Sequence, residues 1–350
     1  MKFKLGQNLI DTCPFWVSNE FLKFMNIKKI DFSKTLTDEQ VYDCLVKNYV
    51  LLGNDWMAHQ WNWLNYLYMP FKDHIKFLII ISLVEKTLQF YNTMSIDLTF
   101  DQFNSKSTLV IDKFSITELC EKLSLPKETI RRKVLELEKL GILKRKKKQI
   151  ILDRTAFDKN SQLQQIKITS KYIALFTNQL IKFDETKNIF SKDLTQDVIE
   201  SIIKKNWSLC LRWFFRMQIP LILSYNKFFD DILSFHIMGT VLMNQSINLS
   251  KRNIYNVNLN RKTWIKNLVL EGKKSPGLSA MSISDMTNIP RATVIRKSKT
   301  LIKKNILLIN NKKQYFLGVE NIDALNPHHA MILKVKSKFL RKVLNLIIIS

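Results

Sequence analysis

The basic residues of two short segments offer the clearest chemistry in this sequence. Residues 115–148 contain 11 Lys and Arg against five acidic residues, and residues 279–313 contain eight against one. Guanidinium and ammonium groups set along a helix can hydrogen-bond to phosphates and base edges of nucleic acid. The chain has 350 residues and a formal charge of +25, so about half of this excess falls in about a fifth of the length. A Lys-, Ile- and Asn-rich composition would raise lysine everywhere, whereas this clustering favours a polyanionic partner.

The first segment contains the elements needed to position these groups. Ile116, Leu119 and Leu123 recur at helical spacing, and Pro126 starts a second helix. On that helix an apolar stripe is expected at Ile130, Val134, Leu137 and Leu140, with Lys127, Glu128, Arg131, Arg132 and Leu135 nearer the outer face. Gly141 should end it. Residues 142–143, the basic run 144–148 and the β-prone residues 149–152 then predict a hairpin with a charged tip.

A second copy of this pattern is predicted 164 residues later, aligned without a gap over residues 279–316. The shift places Pro126 on Pro290, Arg132 on Arg296 and Leu137 on Leu301. Asn305 replaces Gly141, which suits a helix end because asparagine tolerates the left-handed conformation. Residues 310–313 predict a less charged hairpin turn, and Ala280 and Thr287 make a poorer first helix. Internal duplication is the simplest explanation.

Both copies resemble winged helix-turn-helix regulators of the MarR-like, IclR-like and GntR-like kind. The shared pattern is apolar-x-x-apolar, Pro-x-x-Thr and Leu-x-x-x-Gly-Ile, present in residues 116–142. The resemblance covers about a fifth of the chain and does not choose a subfamily. It implies a three-helix domain with a β-wing, whose third helix enters the major groove of double-stranded DNA.

This resemblance assigns candidate roles to the basic residues and their neighbours. Residues expected to reach base edges are Lys127, Glu128, Arg131 and Arg132 in the first copy and Arg291, Ala292, Ile295 and Arg296 in the second. Residues expected on phosphates or in the minor groove are Thr129, Lys133, Thr293, Lys297, Lys144, Arg145, Lys146, Lys147, Lys148, Lys312 and Lys313. Alternatively, arginines on a solvated helix face serve only solubility.

The predicted fold is mainly α with small β-wings, pseudo-duplicated around long buried helices. Apolar residues on most faces predict such helices at 71–91 and 228–243, each preceding one winged unit. The repeated unit would then be larger than the winged motif. The chain would divide near residues 183–188 into two halves, residues 1–185 and 186–350. One arrangement packs the two long helices together, so that a monomer imitates a symmetric dimer. In the other, each helix completes its own domain; a homodimer also remains open.

Other features of the sequence argue against catalysis, cofactors and metal sites. Phosphate-loop, dinucleotide-turn and zinc-ligand spacings are not found, and His328 and His329 are expected in a solvated loop. Cysteines 13, 44, 120 and 210 lie far apart, which favours reduced thiols in a cytoplasmic, nucleoid-associated protein. The longest apolar stretch is too short for a bilayer span. The aromatic cluster of Trp56, Trp61, Trp63, Tyr66 and Tyr68 could line a pocket for an apolar effector, although ordinary core is the commoner role.

The leading functional hypothesis is a sequence-specific transcriptional regulator that binds double-stranded DNA. Tandem winged helices also resemble plasmid or phage replication initiators, which bind repeated origin sites. A third possibility is a non-catalytic winged-helix scaffold, for which basicity alone would give affinity without sequence preference. The basic C-terminal segment 334–349 is expected to form a packing helix, with a membrane-surface role as the alternative.

Overall fold

The computed structural model describes residues 35–111, 115–146, 149–155, 157–183, 186, 189–190, 194–252, 259–318 and 326–350. The described chain is mainly helical with a few short strands, as predicted. Among the described helices, none combines the length and apolar character needed to cross a bilayer. The described cysteines, Cys44, Cys120 and Cys210, are free thiols, and Cys13 lies outside the described residues.

The described elements before residue 181 include three long helices and a three-stranded sheet. In order they are α1 (Asp38–Lys47), α2 (Tyr49–Tyr68), α3 (His74–Thr93), α4 (Phe100–Asn104), β1 (Thr108–Ile111), α5 (Ile116–Leu123), α6 (Lys127–Lys139), β2 (Leu143–Lys146), β3 (Gln149–Asp153) and α7 (Lys159–Leu180). The sheet has the antiparallel order β1-β3-β2. Strand β1 was not predicted, because its four residues are too short for a clear alternating pattern.

The elements after residue 195 follow nearly the same order. They are α8 (Gln196–Lys205), α9 (Trp207–Phe229), α10 (Ile232–Lys251), α11 (Arg261–Gly272), α12 (Ala280–Thr287), α13 (Arg291–Lys303), β4 (Leu307–Ile309), β5 (Tyr315–Leu317) and α14 (Asn326–Ile349). A single bridge from Leu278 to Tyr315 stands where the first half has β1. Most of the predicted boundary at 183–188 lies outside the described residues.

Helix caps recur at a constant spacing of 158 residues. Thr37 and Thr195 cap α1 and α8, each accepting a hydrogen bond from a backbone N–H of the first turn. Asp73 and Asp231 do the same for α3 and α10. Such caps satisfy N–H groups that a helix start would otherwise leave unpaired. The same local signals therefore set the start of corresponding helices in both halves.

The second long helix begins later than predicted. Phe228 and Phe229 end α9, Asp230 adopts a left-handed φ of 64°, and Asp231 caps α10. The prediction of one helix from residue 228 was wrong because the apolar residues continue across the break. The break depends instead on two adjacent aspartates, a residue type that tolerates the left-handed region and caps helices well.

The two halves pack reciprocally around one core. Helix α3 packs against α9 of the other half, and α10 packs against α2 in the corresponding way. Helix α7 contacts α2 and α8, while α14 contacts α9 and α1. Each of α3 and α10 thus contacts a helix of the opposite half as well as helices of its own half, among them α5 and α6 for α3 and α11, α12 and α13 for α10. The predicted packing of the two long helices on each other does not describe these contacts, and the alternative, in which each completes its own half, describes only part of them.

Two glutamines mark the place where the halves meet symmetrically. Gln60 on α2 and Gln218 on α9 are 158 residues apart and both buried. Gln60 Nε2 donates to Gln218 Oε1 at 3.0 Å, and Gln218 Nε2 donates to Gln60 Oε1 at 3.2 Å. A primary amide can pair with an identical amide in this reciprocal way, because each supplies both a donor and an acceptor.

The histidines expected in a C-terminal loop lie in a helix. His328 and His329 belong to the first turns of α14, and His329 packs edge-on against Tyr49 with ring centroids 4.9 Å apart. Burial, with Arg261 and Lys336 nearby, lowers the pKa of His329 to about 3. The loop prediction was wrong because a proline early in a segment also favours the first turn of a helix.

Candidate nucleic-acid interface

Both basic segments form two helices joined by a three-residue turn. The turns are residues 124–126 between α5 and α6 and residues 288–290 between α12 and α13. Ser124 and Asn288 enter them in the left-handed conformation, with φ of 50° and 57°. Ser115 and Ser279 cap the first helices by accepting backbone hydrogen bonds at 3.3 and 3.0 Å. In both segments the described residues thus form two helices joined by a short turn, the local arrangement that the helix–turn–helix prediction requires.

The second helix of each unit buries one face. Ile130, Val134 and Leu137 are buried on α6, and Val294, Ser298 and Leu301 are buried on α13. Leu135 is 43% exposed, as expected. Leu140, predicted in the stripe, is 57% exposed because the helix ends at Lys139 and Gly141 turns the chain with φ of 74°. Asn305 adopts φ of 54° at the corresponding place.

The opposite face of these helices carries most of the predicted base-reading residues. Lys127, Glu128, Arg131 and Arg132 are exposed on α6, and Arg291, Ala292 and Arg296 are exposed on α13, while Ile295, Thr129 and Thr293 are half-buried. The side chains of Arg132 and Arg296 make no hydrogen bond or ion pair to another described residue. Both guanidinium groups are therefore open to an external partner.

Lys133 and Lys297, predicted on phosphates, are turned inward. Lys133 Nζ lies 2.7 Å from Asp73 Oδ2, and Lys297 Nζ lies 2.7 Å from Asp231 Oδ2. Their side chains are only 13% and 19% exposed. Burial opposes the charge of Lys133, but the carboxylates of Asp73 and Glu136 outweigh it and raise its pKa. Each lysine ties its second helix to the N-terminus of a long helix, so a phosphate role does not fit this geometry.

The first hairpin carries the predicted positive charge. Lys144, Arg145 and Lys146 are exposed on β2, which pairs with β3 from Leu143 opposite Leu152 to Lys146 opposite Gln149. Arg145 also forms an ion pair with Glu138 at the end of α6. Lys147 and Lys148, which join the strands, lie outside the described residues.

The second hairpin is one residue longer than the first. Leu307 pairs with Leu317 and Ile309 with Tyr315, which makes Leu317 the counterpart of Leu152. The predicted gap-free alignment to Phe316 is therefore wrong by one residue in the turn. Lys313 adopts φ of 58° there, and both Lys312 and Lys313 are exposed.

Lys299 is a candidate that the sequence reasoning missed. It is exposed on α13 at the place of Leu135 on α6, three residues beyond Arg296. Residues three apart on a helix share a face, so helical spacing from Arg296 was the signal that could have found it. Lys299 extends the basic face of α13 by about one turn.

The aromatic cluster of α2 is divided between two cavities. Trp63 and Tyr66 line a cavity of about 100 Å³, whereas Trp56 and Trp61 line another of about 200 Å³. Tyr68 is buried against His74, with ring centroids 5.1 Å apart. The single pocket suggested by the sequence is therefore two separate spaces.

Comparison with protein-family models, curated proteins and solved structures found no match.

Proposed function

We propose that this protein binds double-stranded DNA sequence-specifically through two winged helix-turn-helix units and acts as a transcriptional regulator. In this proposal α6 and α13 are the recognition helices, and the β2–β3 and β4–β5 hairpins are the wings. The exposed Arg131, Arg132, Arg291 and Arg296 would read base edges, while the hairpin lysines would contact the DNA backbone.

The observation that carries the proposal is that, on both α6 and α13, one of two adjacent basic residues points inward and the other is exposed. Lys133 and Lys297 form ion pairs within the protein. The residues that precede them, Arg132 and Arg296, are exposed. The inward lysines fix the rotation of each helix about its axis. That rotation presents an arginine at the corresponding outward position of both helices. An arginine held in this way can form the bidentate contact by which proteins read guanine.

Reciprocal packing supports a reader with two recognition helices. Symmetric DNA-binding dimers present two such helices to two half-sites, and here the crossed helix contacts join the two proposed readers through one core within a single chain. The two outward faces differ, however, because Glu128 corresponds to Ala292 and Leu135 to Lys299. We therefore expect a bound site with two unlike halves.

The proposal is tested by selecting duplexes from a random DNA library with the purified chain at two salt concentrations. We expect enrichment of a motif with two unlike half-sites at both concentrations, with weaker total binding at the higher salt. Affinity that collapses with salt and shows no enriched motif would contradict sequence-specific reading and leave electrostatic binding alone.

Single substitutions then locate the contacts on the selected duplex. Arg132→Ala and Arg296→Ala should each remove about 1 to 3 kcal/mol of discrimination at one position, in different half-sites. Lys146→Ala should weaken binding to all duplexes similarly and reduce the salt dependence. Arg216→Ala removes an exposed arginine of α9 outside both units and should leave the preference unchanged. Equal losses on all duplexes from the two interface arginines would refute their assignment.

A further inference from the structure

The two cavities occupy corresponding places in the two halves. Ile80 and Phe214 line the smaller one, and the residues related to them by 158 positions, Met238 and Trp56, line the larger. The closing helices correspond at a spacing of 167, since α7 packs on α2 as α14 packs on α9. At that spacing Thr169 in the smaller cavity corresponds to Lys336 in the larger. One cavity thus has a neutral hydroxyl where the other has an ammonium group.

Lys336 is buried without a compensating anion. Its side chain is 4% exposed, and Nζ lies 4.1 Å from the ring centre of Trp56 and 4.6 Å from that of Tyr172. Among the described residues no carboxylate forms an ion pair with it, and burial lowers its pKa well below the usual range. Aromatic faces attract a cation, but they replace only part of the hydration that burial removes.

The smaller cavity is lined by a cation of its own, Arg154, but protein acceptors already hold it: its guanidinium group donates to the carbonyl oxygens of Phe103 and Lys106 and to Asn104 Oδ1. Thr169 Oγ1 lies 3.0 Å from His59 Nε2, so its polar atom has a partner within the protein. Thr169 and Lys336 therefore differ in whether their polar atom has a partner within the described protein. Thr169 has its hydrogen-bond partner, whereas the Lys336 amine stands beside an open volume, where a bound anion would stabilise its protonated form.

The remaining described wall of the larger cavity is mostly apolar and aromatic, with Gln60, Arg261, His328 and His329 as further polar side chains. Besides Trp56, its aromatic lining includes Tyr49, Trp61, Tyr225, Phe228, Phe235 and Trp264. Arg261 lies at the same cavity and places its guanidinium group 6.0 Å from the Tyr49 ring centre. No Asp or Glu is among the described lining residues. A flat apolar body with one negative group matches this combination of aromatic wall and buried cation.

We propose that the larger cavity binds a small aromatic monocarboxylate, whose carboxylate pairs with Lys336. The aromatic body would pack on the surrounding rings, and the ion pair would replace the hydration that the ammonium group lost on folding. In the smaller cavity Thr169 stands at the equivalent position and Arg154 is already hydrogen-bonded within the protein. One molecule should therefore bind per chain. This site is independent of DNA recognition and can be measured on the protein alone.

The test uses 2-naphthoate and its neutral isostere 2-naphthamide, followed by titration calorimetry and by the melting temperature of the full chain. We expect saturable binding of one 2-naphthoate with an increased melting temperature, and at least tenfold weaker binding of 2-naphthamide. Lys336→Met keeps much of the side-chain volume, and it should abolish the preference for the acid. Lys338→Met removes an exposed lysine of the same helix and should retain that preference.

Three results would overturn the proposal. The first is no saturable binding of 2-naphthoate at millimolar concentration by the wild-type chain. The second is equal affinity of the wild-type chain for acid and amide. The third is an undiminished preference for the acid in Lys336→Met, provided that circular dichroism and a cooperative melting transition show this variant to be folded. Because Lys336→Met replaces a buried amine that has no carboxylate partner among the described residues by an apolar side chain, it should fold at least as stably as the wild-type chain.

Discussion

Corresponding residues of the two halves are alike at the positions that cap helices, form internal ion pairs or turn the chain. They differ at exposed positions and in the cavities. The caps Asp73 and Asp231, the inward lysines Lys133 and Lys297, and the left-handed turn positions recur at fixed spacings. At exposed positions and in the cavities the residues change, as with Leu135 and Lys299 or Thr169 and Lys336. The shared residues hold the helices in place, and the differing ones would distinguish what each half binds.

The largest effect should come from pH, because histidines of both halves are buried uncharged. Burial lowers the pKa of His59 to about 3 and of His74 to about 4, and it lowers that of His236 well below its usual value. The unfolded chain takes up protons near pH 6.5, while the folded chain does not until much lower pH. The free energy of unfolding should therefore fall as pH drops from 7 to 5, by up to about 1.4 kcal/mol per unit for each such histidine.

Urea unfolding at pH 7 and pH 5 measures this loss and also compares the halves. A single unfolding transition whose midpoint moves to a lower urea concentration at pH 5 would fit a shared core. Two unfolding transitions with different midpoints would show that the halves unfold independently. His74→Phe should reduce the pH dependence by about one proton's contribution. An unchanged midpoint between the two pH values would contradict the buried neutral histidines.

Equivalent core truncations should have similar costs in the two units. Leu137 and Leu301 are both buried on the second helices, so Leu137→Ala and Leu301→Ala should each lower the free energy of unfolding by about 2 to 5 kcal/mol. Leu135→Ala, at an exposed position of α6, should change it by less than about 0.5 kcal/mol. Chemical denaturation followed by circular dichroism measures all three. A negligible cost for one of the core truncations would show that its unit is not part of the common core.

The glutamine pair tests the symmetric contact directly. Gln60→Leu or Gln218→Leu leaves one buried amide without its partner, which should cost about 1 to 3 kcal/mol. The double substitution leaves no amide unsatisfied and should cost less than the sum of the single changes. A double-mutant cycle from urea unfolding measures this coupling, and additive costs would argue against the reciprocal hydrogen bonds.

The capping aspartates should give the smallest effect. Asp73→Ala and Asp231→Ala remove a cap and a lysine partner, with an expected cost of about 1 to 2 kcal/mol each. Asn at the same positions preserves capping but not the ion pair, so the difference between Ala and Asn variants separates the two contributions. If Asn costs as much as Ala at both positions, the ion pair with the inward lysine accounts for the effect and the cap does not.

Local sequence signals predicted much of each unit. Pro126 and Pro290 start the second helices, Gly141 and Asn305 turn the chain, and the basic run predicts the first hairpin, because these features depend on neighbours along the chain. The missed features are short or ambiguous locally. Strand β1 has only four residues. The extra residue in the second hairpin could not be recognised from the sequence, because only the pairing of Leu307 with Leu317 reveals it.

The inward lysines show why the candidate site could be predicted only in part. Arg132 and Lys133 are adjacent and both basic, so the sequence assigns each a plausible DNA contact. Which one is exposed depends on the position of Asp73, some sixty residues earlier in the chain. The residue types determined that both side chains could bind an anion. The carboxylate of Asp73, distant in sequence, determined that Lys133 points inward and that Arg132 remains exposed.

The sequence by itself determined the mainly helical class, the two helices and the hairpin of each basic segment, and the concentration of positive charge on those segments, because caps, periodicity and charge act over a few residues. Only the tertiary structure decided that α3 packs on α9 and α10 on α2, that Gln60 meets Gln218, and that Lys336 is buried beside a cavity. These contacts join residues more than a hundred positions apart. No local preference specifies such a pairing, which depends on how complementary apolar surfaces bury one another.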